Sequence, residues 1–380
     1  MSKSLYFVAG ETSGDTHGAA LMAALRQREP QLSFLGRGGP RMRELAAGEF
    51  IDWSESSSVL GLWEVLKQYG YFRKQFHATI QQIRILNPDA VVLIDYPGFN
   101  LRLARALRAQ LPPLKIIYYI SPQVWAWNRR RIPRMAKWLD LMLCIFPFEK
   151  DLYEQSGLRA VFVGHPLVES LRTSMDVARN PQLIGLFPGS RAREVARLFP
   201  LMLEVAKNLL RTRPDLRFEV AAASQQLSGT ITDMVSQSGL PADLIRVTVG
   251  ESTSLMQRAF VGVIASGTAT LEAACFRLPS VVVYKVSWLT YVAARLVVKV
   301  KHLGMPNVLA NKEVVPEFIQ HRATPAAVES AVVELLEKPE RRRGMISEFD
   351  QLIEQLGEAG SSDRAAAAIL SVLKTKSGSG

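Results

Sequence analysis

Apolar, strand-like runs alternate with helical stretches through most of this 380-residue chain. This alternation predicts strands that lie parallel in a sheet, with the connecting helices packed on its faces. Strands are expected at 4–9, 32–36, 90–95, 115–120, 141–146, 160–163, 183–187, 217–222, 245–249, 261–265 and 280–284. We therefore expect an α/β fold of two Rossmann-like domains that face an inter-domain cleft.

The strand pattern pauses once, in residues 164–182, where polar residues accumulate. We place the hinge between the two domains in this stretch. One domain is predicted over 1–168 and the other over 169–360. The last helix, residues 361–374, is expected to pack back on the first domain.

Composition excludes several classes of protein. Hydrophobic residues make up 48% of the chain and charged residues 21%, which is typical of a globular protein and not of a disordered one. The two cysteines have no CxxC spacing and no histidine cluster, so we predict no disulfide, no metal site and no cofactor. The N-terminus enters a strand directly, and no apolar run is long enough to span a membrane.

The net charge of +11 calls for an anionic partner. Much of this charge lies in residues 125–137, where arginines alternate with tryptophans. Such a patch is typical of a solvated face or of a nucleic-acid-binding surface. The chain lacks RNA-binding submotifs, zinc fingers and helix-turn-helix patterns, so we expect no nucleic acid as a partner.

A strand, a polar turn and a helix follow one another in residues 260–275. The turn is Ser266-Gly267-Thr268, and Glu272 comes one helical turn after it. A helix start of this kind offers unpaired N–H groups that suit a phosphate, while Glu272 is placed to accept hydrogen bonds from ribose hydroxyls. The same residues also suit an ordinary capped βα unit with a surface glutamate.

A second phosphate-type turn follows the first strand of the second domain, at Gly189-Ser190-Arg191. Its backbone amides and its arginine suit a diphosphate. Because both turns fall in one domain, we expect them to converge on one nucleotide. The chain has no GxGxxG and no GxxxxGK[ST], so neither a dinucleotide fingerprint nor a P-loop is present.

Two turns of the first domain carry carboxylates at strand ends. Glu11, Ser13 and Asp15 lie in the turn after the first strand, where they are expected to reach the acceptor or to cap the following helix. Asp95 ends an apolar strand before a Pro-Gly turn, which makes it a candidate general base for a hydroxyl. Capping of the following helix is the alternative role for Asp95.

Residues 59–76 form a basic amphipathic pattern with aromatic residues on its apolar side. A helix of this kind can lie in a bilayer interface, although core packing explains the same pattern. The residues predicted to face the membrane are Leu62, Trp63, Val65, Leu66, Tyr69 and Phe72.

Eight strings in this order resemble lipid-A-disaccharide synthase, a bacterial glycosyltransferase family of the two-Rossmann, B-type fold. They run from residue 8 to about residue 320: VAGETSGDTHGA, DAVVLIDYPGFN, YYISPQVWAW, FPFEKDLYEQSG, VGHPL, LFPGSR, ASGTATLE and MPNVLA. One departure is Asn311-Lys312, where the family more often has Gly-Arg.

The resemblance implies a metal-independent, inverting transfer. UDP-2,3-diacylglucosamine would donate its sugar to the 6-hydroxyl of 2,3-diacylglucosamine 1-phosphate, giving a β-linked disaccharide 1-phosphate and UDP. It implies Asp95 as the base and adds Asn307 and Gln320 to the donor-binding residues. No Asp-x-Asp occurs in the chain to hold a metal ion for the leaving group.

The resemblance also implies a cytoplasmic protein held peripherally on the anionic inner face of a Gram-negative inner membrane. The sequence leaves open whether the chain forms a homodimer. Two other enzymes of the same fold remain as alternatives, the lipid-linked muramyl-peptide glycosyltransferase and the UDP-sugar 2-epimerase. A nucleic-acid-binding protein explains the charge but not the paired phosphate turns. An interaction module leaves the carboxylates and glycines at the strand ends unexplained.

Overall fold

The structure, a computed structural model, describes residues 3–46, 48–53, 69–171, 177–286 and 301–374. The chain divides into two compact units, which we call unit 1 and unit 2. Unit 1 contains Met1–Glu169 and Leu356–Gly380, and unit 2 contains Ser170–Gln355. Unit 1 is therefore discontinuous in sequence, and unit 2 is inserted into it.

Each unit is built on one parallel sheet. The strands are β1 Ser4–Ala9, β2 Ser33–Gly38, β3 Phe50–Asp52, β4 Ala90–Ile94, β5 Lys115–Tyr119, β6 Leu141–Cys144, β7 Ala160–Phe162, β8 Asn180–Phe187, β9 Arg217–Ala222, β10 Ile245–Val249, β11 Ala259–Ala265, β12 Ser280–Tyr284 and β13 Glu317–Ile319. Among the described residues, the sheet of unit 1 has the order β3-β2-β1-β4-β5-β6-β7, and that of unit 2 has β10-β9-β8-β11-β12-β13.

Helices connect the strands and cover the sheets. They are α1 Thr12–Arg28, α2 Pro40–Leu45, α3 Tyr69–Leu86, α4 Pro97–Gln110, α5 Val124–Trp127, α6 Ile132–Ala136, α7 Pro147–Glu154, α8 Leu167–Leu171, α9 Ala192–Thr212, α10 Gln225–Ser238, α11 Ser252–Arg258, α12 Thr268–Cys275, α13 Met305–Ala310, α14 Pro325–Glu337, α15 Pro339–Gln355 and α16 Ser361–Lys374. Short 3₁₀ turns lie at Arg129–Arg131 and Gln320–Arg322.

The strands are continuous apolar runs because helices cover both faces of a parallel sheet. All five residues of β4, for example, are fully buried. Among the described residues, unit 1 has an apolar core around Tyr118 and Leu107, and unit 2 has one around Val263 and Phe199. The prediction of an α/β fold with two parallel-sheet, Rossmann-like units is confirmed.

The C-terminal helix α16 completes unit 1. Its residues Ala365, Ala366 and Ile369 are buried, and the helix packs against α1. Lys3 Nζ donates a hydrogen bond to the carbonyl oxygen of Leu373 at 2.8 Å, where a cation complements the C-terminal end of the helix dipole. A second lysine, Lys115, donates in the same way to the preceding carbonyl.

Two strands were missing from the sequence prediction, β3 and β13. Each has three residues and lies at the edge of its sheet, so it carries too few positions to show a periodic pattern. In the part of the chain that the structure describes, no helix combines the length and the apolar content needed to cross a membrane.

Candidate active site

The candidate site residues lie beside the point where the strand order of each sheet reverses. In unit 1, β1 pairs with both β2 and β4. The turn that follows β1 and the turn that follows β4 therefore lie next to each other at this point. In unit 2 the same arrangement places the turns after β8 and β11 side by side. Crevices at such topological switch points are where open α/β sheets bind their ligands.

The backbone around Asp95 is strained and firmly held. Asp95 and Tyr96 have φ angles of 43° and 50°, in the left-handed region that non-glycine residues rarely adopt. The carbonyl of Asp95 accepts hydrogen bonds from the Tyr118 hydroxyl at 2.5 Å and from Asn100 Nδ2 at 2.8 Å. The Asp95 amide in turn donates to the carbonyl of Tyr119 at 2.9 Å. These contacts hold the backbone of Asp95 in its strained conformation.

The electrostatic surroundings of Asp95 favour a proton acceptor that works near neutral pH. The pKa of Asp95 is raised to about 6, mainly by burial and also by the nearby carboxylate of Glu11, while the backbone amide of Tyr96 opposes the shift. A general base is most effective when its pKa lies just below the working pH, because it is then ionised and still basic.

Glu11 reaches Asp95 because the turn after β1 lies directly against the turn after β4. Ala9 pairs with Ile94 in the sheet, and the ring of Tyr96 lies on the Cα of Gly10, leaving no room for a side chain there. Glu11 is half-buried and precedes the first residue of α1, and Ser13 is exposed in the first turn of that helix. The structure thus brings Glu11 and Asp95 together.

The prediction that Asp15 faces the acceptor needs correction. Asp15 is 3% exposed, and its carboxylate accepts hydrogen bonds from the amides of Gly39, Arg41 and Met42 at 3.0 to 3.1 Å. These amides lie at the start of α2, so Asp15 caps that helix. The Asp15 carboxylate is thus used for hydrogen bonds within unit 1 and does not face the acceptor.

The turn after β8 contains a glycine and an arginine in a compact arrangement. Gly189 has a φ of 108°, which only glycine adopts without strain, and α9 begins two residues after Ser190. Arg191 Nη1 donates a hydrogen bond to Glu194 Oε1 at 3.0 Å. The Arg191 side chain is 56% exposed and so remains accessible to solutes.

The turn after β11 carries exposed residues and one carboxylate to which none of the described residues donates a hydrogen bond. Gly267 and Thr268 are exposed at the start of α12. Ser266 Oγ donates to the carbonyl of Leu303 at 3.3 Å. Glu272 is mostly buried, which raises its pKa, and no described residue donates a hydrogen bond to its carboxylate. A buried carboxylate without a donor is suited to ligand hydroxyl groups.

Asn307 holds the loop after α13 instead of presenting its amide to solvent. It is fully buried; its Nδ2 donates to Val315 O and Glu317 Oε1, and its Oδ1 accepts from the amides of Val314 and Val315. All its hydrogen-bonding groups are therefore used inside unit 2. A direct contact with a nucleotide would have to break this network, so the structure gives Asn307 a positioning role.

Gln320 is a second residue whose side chain is occupied by the protein. Its amide exchanges two hydrogen bonds with the backbone of Val286, at 2.8 Å to the amide and 3.2 Å to the carbonyl. Gln320 has a φ of 54° at the end of β13. It ties that edge strand to the chain leaving β12.

Three residues that the sequence analysis missed support these turns. Asn100 is fully buried and also donates to the carbonyl of Ile94 at 3.1 Å. The sequence signal that could have identified it is a polar residue on the apolar face of α4.

Two buried glutamates are the other residues of this kind. Glu317 accepts from the amides of Leu303 and Gly304. Glu149 accepts from Trp125 Nε1 at 2.9 Å, and burial raises its pKa to about 7. No local pattern distinguishes these glutamates from surface ones.

The predicted membrane-facing residues Leu62, Trp63, Val65 and Leu66 lie outside the described residues, and the side chain of Tyr69 does as well. Phe72 is half-buried and packs against the core of unit 1. For Phe72 the membrane assignment is therefore corrected to core packing, because this side chain packs against the core of unit 1.

Among the described residues, no three His, Cys, Asp or Glu side chains cluster as metal ligands would.

Comparison with known families gives a match over nearly the whole chain. The family described as lipid-A-disaccharide synthetase matches residues 5–372. The lipid-A-disaccharide synthase of Geobacter sulfurreducens is 39% identical over 384 residues, which cover 98% of this chain and 98% of that protein. Lipid-A-disaccharide synthase 1 of Legionella pneumophila strain Philadelphia 1 is 39% identical over 362 residues, covering 93% of each chain.

Solved structures with the same fold are more distant in sequence. A UDP-N-acetylglucosamine 2-epimerase from Neisseria meningitidis, bound to UDP-GlcNAc, matches with a TM-score of 0.64 and 12% identity, covering 98% of this chain and 100% of that one. MurG of Acinetobacter baumannii matches with a TM-score of 0.58 and 13% identity, covering 97% and 99%. At these identities the likeness shows the fold alone.

Proposed function

The chain belongs to the lipid-A-disaccharide synthase family, whose members are glycosyltransferases, and we propose that it joins UDP-2,3-diacylglucosamine to 2,3-diacylglucosamine 1-phosphate. The products are the β-linked disaccharide 1-phosphate and UDP. The family match over residues 5–372 favours this reaction over that of the 2-epimerases. The 2-epimerase from Neisseria meningitidis shares the fold but is only 12% identical in sequence.

Unit 1 supplies the base in this proposal. The Asp95 carboxylate takes the proton of the acceptor 6-hydroxyl, and that oxygen attacks the anomeric carbon of the donor as the bond to the diphosphate breaks. Attack from the face opposite the leaving group inverts the anomeric configuration. The observation that carries this assignment is the strained, hydrogen-bonded turn that fixes Asp95, together with its pKa of about 6.

Unit 2 supplies the donor site. The ribose hydroxyls donate to Glu272, the one carboxylate at the β11 turn that no described residue satisfies. The diphosphate lies against the exposed amides at Gly267 and Thr268, with Arg191 as its cation. These donors also stabilise the charge that grows on the diphosphate as UDP leaves. Asn307 acts only indirectly: it donates to Glu317, whose carboxylate accepts from the amide of Leu303, the residue that Ser266 contacts.

The acylated substrates require access to a lipid surface. We propose that the chain binds the anionic inner face of the inner membrane from the cytoplasm, as a peripheral protein. Exposed cations on the segment after β5 support this, namely Arg129, Arg130, Arg134 and Lys137. Co-sedimentation with phosphatidylglycerol vesicles should fall as salt rises, and binding that ignores salt would contradict the electrostatic part of the proposal. Light scattering of the same samples determines whether the chain forms a homodimer.

The reaction itself is tested by UDP release from UDP-2,3-diacylglucosamine. We expect release only when 2,3-diacylglucosamine 1-phosphate is present, with one disaccharide formed for each UDP. Release without an acceptor would indicate a hydrolase. A product with an inverted C2 and no acceptor dependence would indicate an epimerase.

A further inference from the structure

The arginine of the proposed diphosphate site already holds an anion that belongs to the protein. Arg191 Nη1 donates to Glu194 Oε1 at 3.0 Å, and the two side chains are 56% and 29% exposed. Glu194 is the third residue of α9, and its amide donates to the Arg191 carbonyl at 2.9 Å. The pair therefore spans the point at which the β8 turn becomes helix.

The Glu194 carboxylate lies on the inner side of the Gly189-Ser190 turn. A Cβ placed on Gly189 would come within 2.6 Å of Glu194 Oε2, so the carboxylate occupies the space that the glycine leaves open. The first turn of a helix favours a negative charge in this place. In charge and position, the carboxylate resembles a phosphate bound at such a turn.

The Glu194 carboxylate also lies near Tyr284, the last residue of β12. Burial raises the pKa of Tyr284 and the charge of Glu194 raises it further, whereas Arg191 and Arg197 lower it. Glu194, Arg191 and Arg197 therefore all lie near Tyr284.

We propose that Glu194 is a displaceable stand-in for phosphate, which holds Arg191 at the turn in the empty site and gives way to the diphosphate of the UDP-sugar. This inference rests on the proposed function, because it needs a diphosphate at Arg191. An exposed ion pair contributes about fivefold at most to an equilibrium constant, so it orients the arginine without closing the site. A diphosphate, with more charge and more acceptor oxygens, replaces it.

The displaced carboxylate also has an effect on product release. While UDP is bound, Glu194 is a second anion beside the phosphates, and it repels them. When UDP leaves, the carboxylate takes Arg191 back, so the empty turn keeps a paired cation. Glu194 therefore lowers the affinity for UDP and speeds its dissociation.

The test replaces the carboxylate by its neutral isostere, Glu194→Gln. Calorimetry should show UDP binding about three- to tenfold tighter than in the parent, and stopped-flow displacement should show slower UDP dissociation. The gain should shrink at high ionic strength, since screening weakens the repulsion. The matched control is Glu204→Gln, which removes the same charge from the same helix and breaks a similar pair with Lys207. The control should leave UDP affinity unchanged.

A second variant, Glu194→Ala, separates the effect of Glu194 on UDP binding from its effect on the stability of α9. A loss of helix stability lowers the melting temperature of this variant, whereas the loss of repulsion raises its affinity for UDP. Unchanged or weaker UDP binding by both Glu194 variants, while Arg191→Ala also weakens binding, would overturn the inference and leave the proposed function intact. If the parent itself binds no UDP, or if Arg191→Ala binds it as well as the parent, the donor site proposed for unit 2 is wrong.

Discussion

The two units form their site turns in opposite ways. Unit 1 uses strained, side-chain-bearing residues at the ends of β4 and β5: Asp95, Tyr96 and Ile120, with φ angles of 43°, 50° and 64°. Unit 2 uses glycines after β8 and β11, Gly189 and Gly267, which reach unusual φ angles without a Cβ penalty. The same topological position therefore carries strain in one unit and almost none in the other.

The difference follows from what each turn presents. In the proposed reaction, the base has to be one particular carboxylate at one place. The strain of unit 1, about 1–3 kcal/mol for each such residue, is offset by hydrogen bonds from Asn100 and Tyr118. A phosphate site presents backbone N–H groups, and glycine leaves these accessible. Strain therefore marks the position of a reacting side chain, and glycine marks an open backbone.

The largest effect is expected at the strained turn. Asp95→Asn should lower turnover by about two to four orders of magnitude, as the loss of a general base does. UDP binding should be unchanged, because the proposed nucleotide site lies in unit 2. Near-normal turnover would show that Asp95 only orients the acceptor.

Thermal melting at two pH values is the control for that variant. The folded-state pKa of Asp95 lies above its unfolded value, so the stability that its protonated form contributes is lost as the pH rises through about 6. The Asn variant should therefore melt no lower than the parent at pH 8. A lower melting temperature there would mean that the variant has lost structure as well as a base.

In unit 2, Glu272→Ala should weaken UDP binding by about 1.5–3 kcal/mol, because the ribose loses a charged acceptor. Calorimetry with UDP alone measures this. Glu340→Ala, which changes an exposed glutamate of α15, is the matched control and should bind UDP as the parent does. Equal affinities for Glu272→Ala and the parent would place the ribose elsewhere.

The pH profile distinguishes the roles of Asp95 and Glu11. With a pKa of about 6, Asp95 is protonated in acid, so kcat/KM should fall about tenfold per pH unit below 6. Glu11→Gln removes the negative charge that raises this pKa, and the acid limb should then move to lower pH. An acid limb that stays in place would mean that Asp95 does not control it.

Removing the support of the strained turn should have a smaller effect. Asn100→Ala takes away the donor to the carbonyls of Ile94 and Asp95 and should lower the free energy of unfolding by about 1–3 kcal/mol. Turnover should fall while UDP affinity stays constant. Denaturant unfolding and calorimetry test the two parts, and a loss of UDP affinity would mean that the effect is not confined to unit 1.

EDTA should have the smallest effect of all. The chain has no Asp-x-Asp, and the described residues show no cluster of metal ligands, so we expect activity to persist in the chelator. Loss of activity that magnesium or manganese restores would contradict this.

The sequence was most informative where local patterns carry the information. Buried parallel strands are continuous apolar runs, so β1, β9, β10 and β12 were predicted to the residue. The site turns were located because glycines and polar side chains follow these strands directly. The roles of Asp95, Arg191 and Glu272 remain predictions, although the structure puts each of them at a switch point.

The sequence was least informative about partners that are distant along the chain. Asp15 caps a helix whose amides lie 24 to 27 residues away, and no spacing rule encodes that contact. Burial also decides the surroundings of Asn307 and Phe72, since it depends on which elements pack together. Local pattern finds the turn, and tertiary packing decides which side chains face outward.

The lysines that hold the end of α16 have a consequence for biosynthesis. Lys3 and Lys115 precede the inserted unit in the chain, but the carbonyls they bind, in Val372 and Leu373, follow it. The inserted unit, Ser170–Gln355, is complete before that helix leaves the ribosome. Until then the surface of α1 that packs against α16 stays open to water and to chaperones. The half of the protein that begins first is therefore the half that finishes folding last.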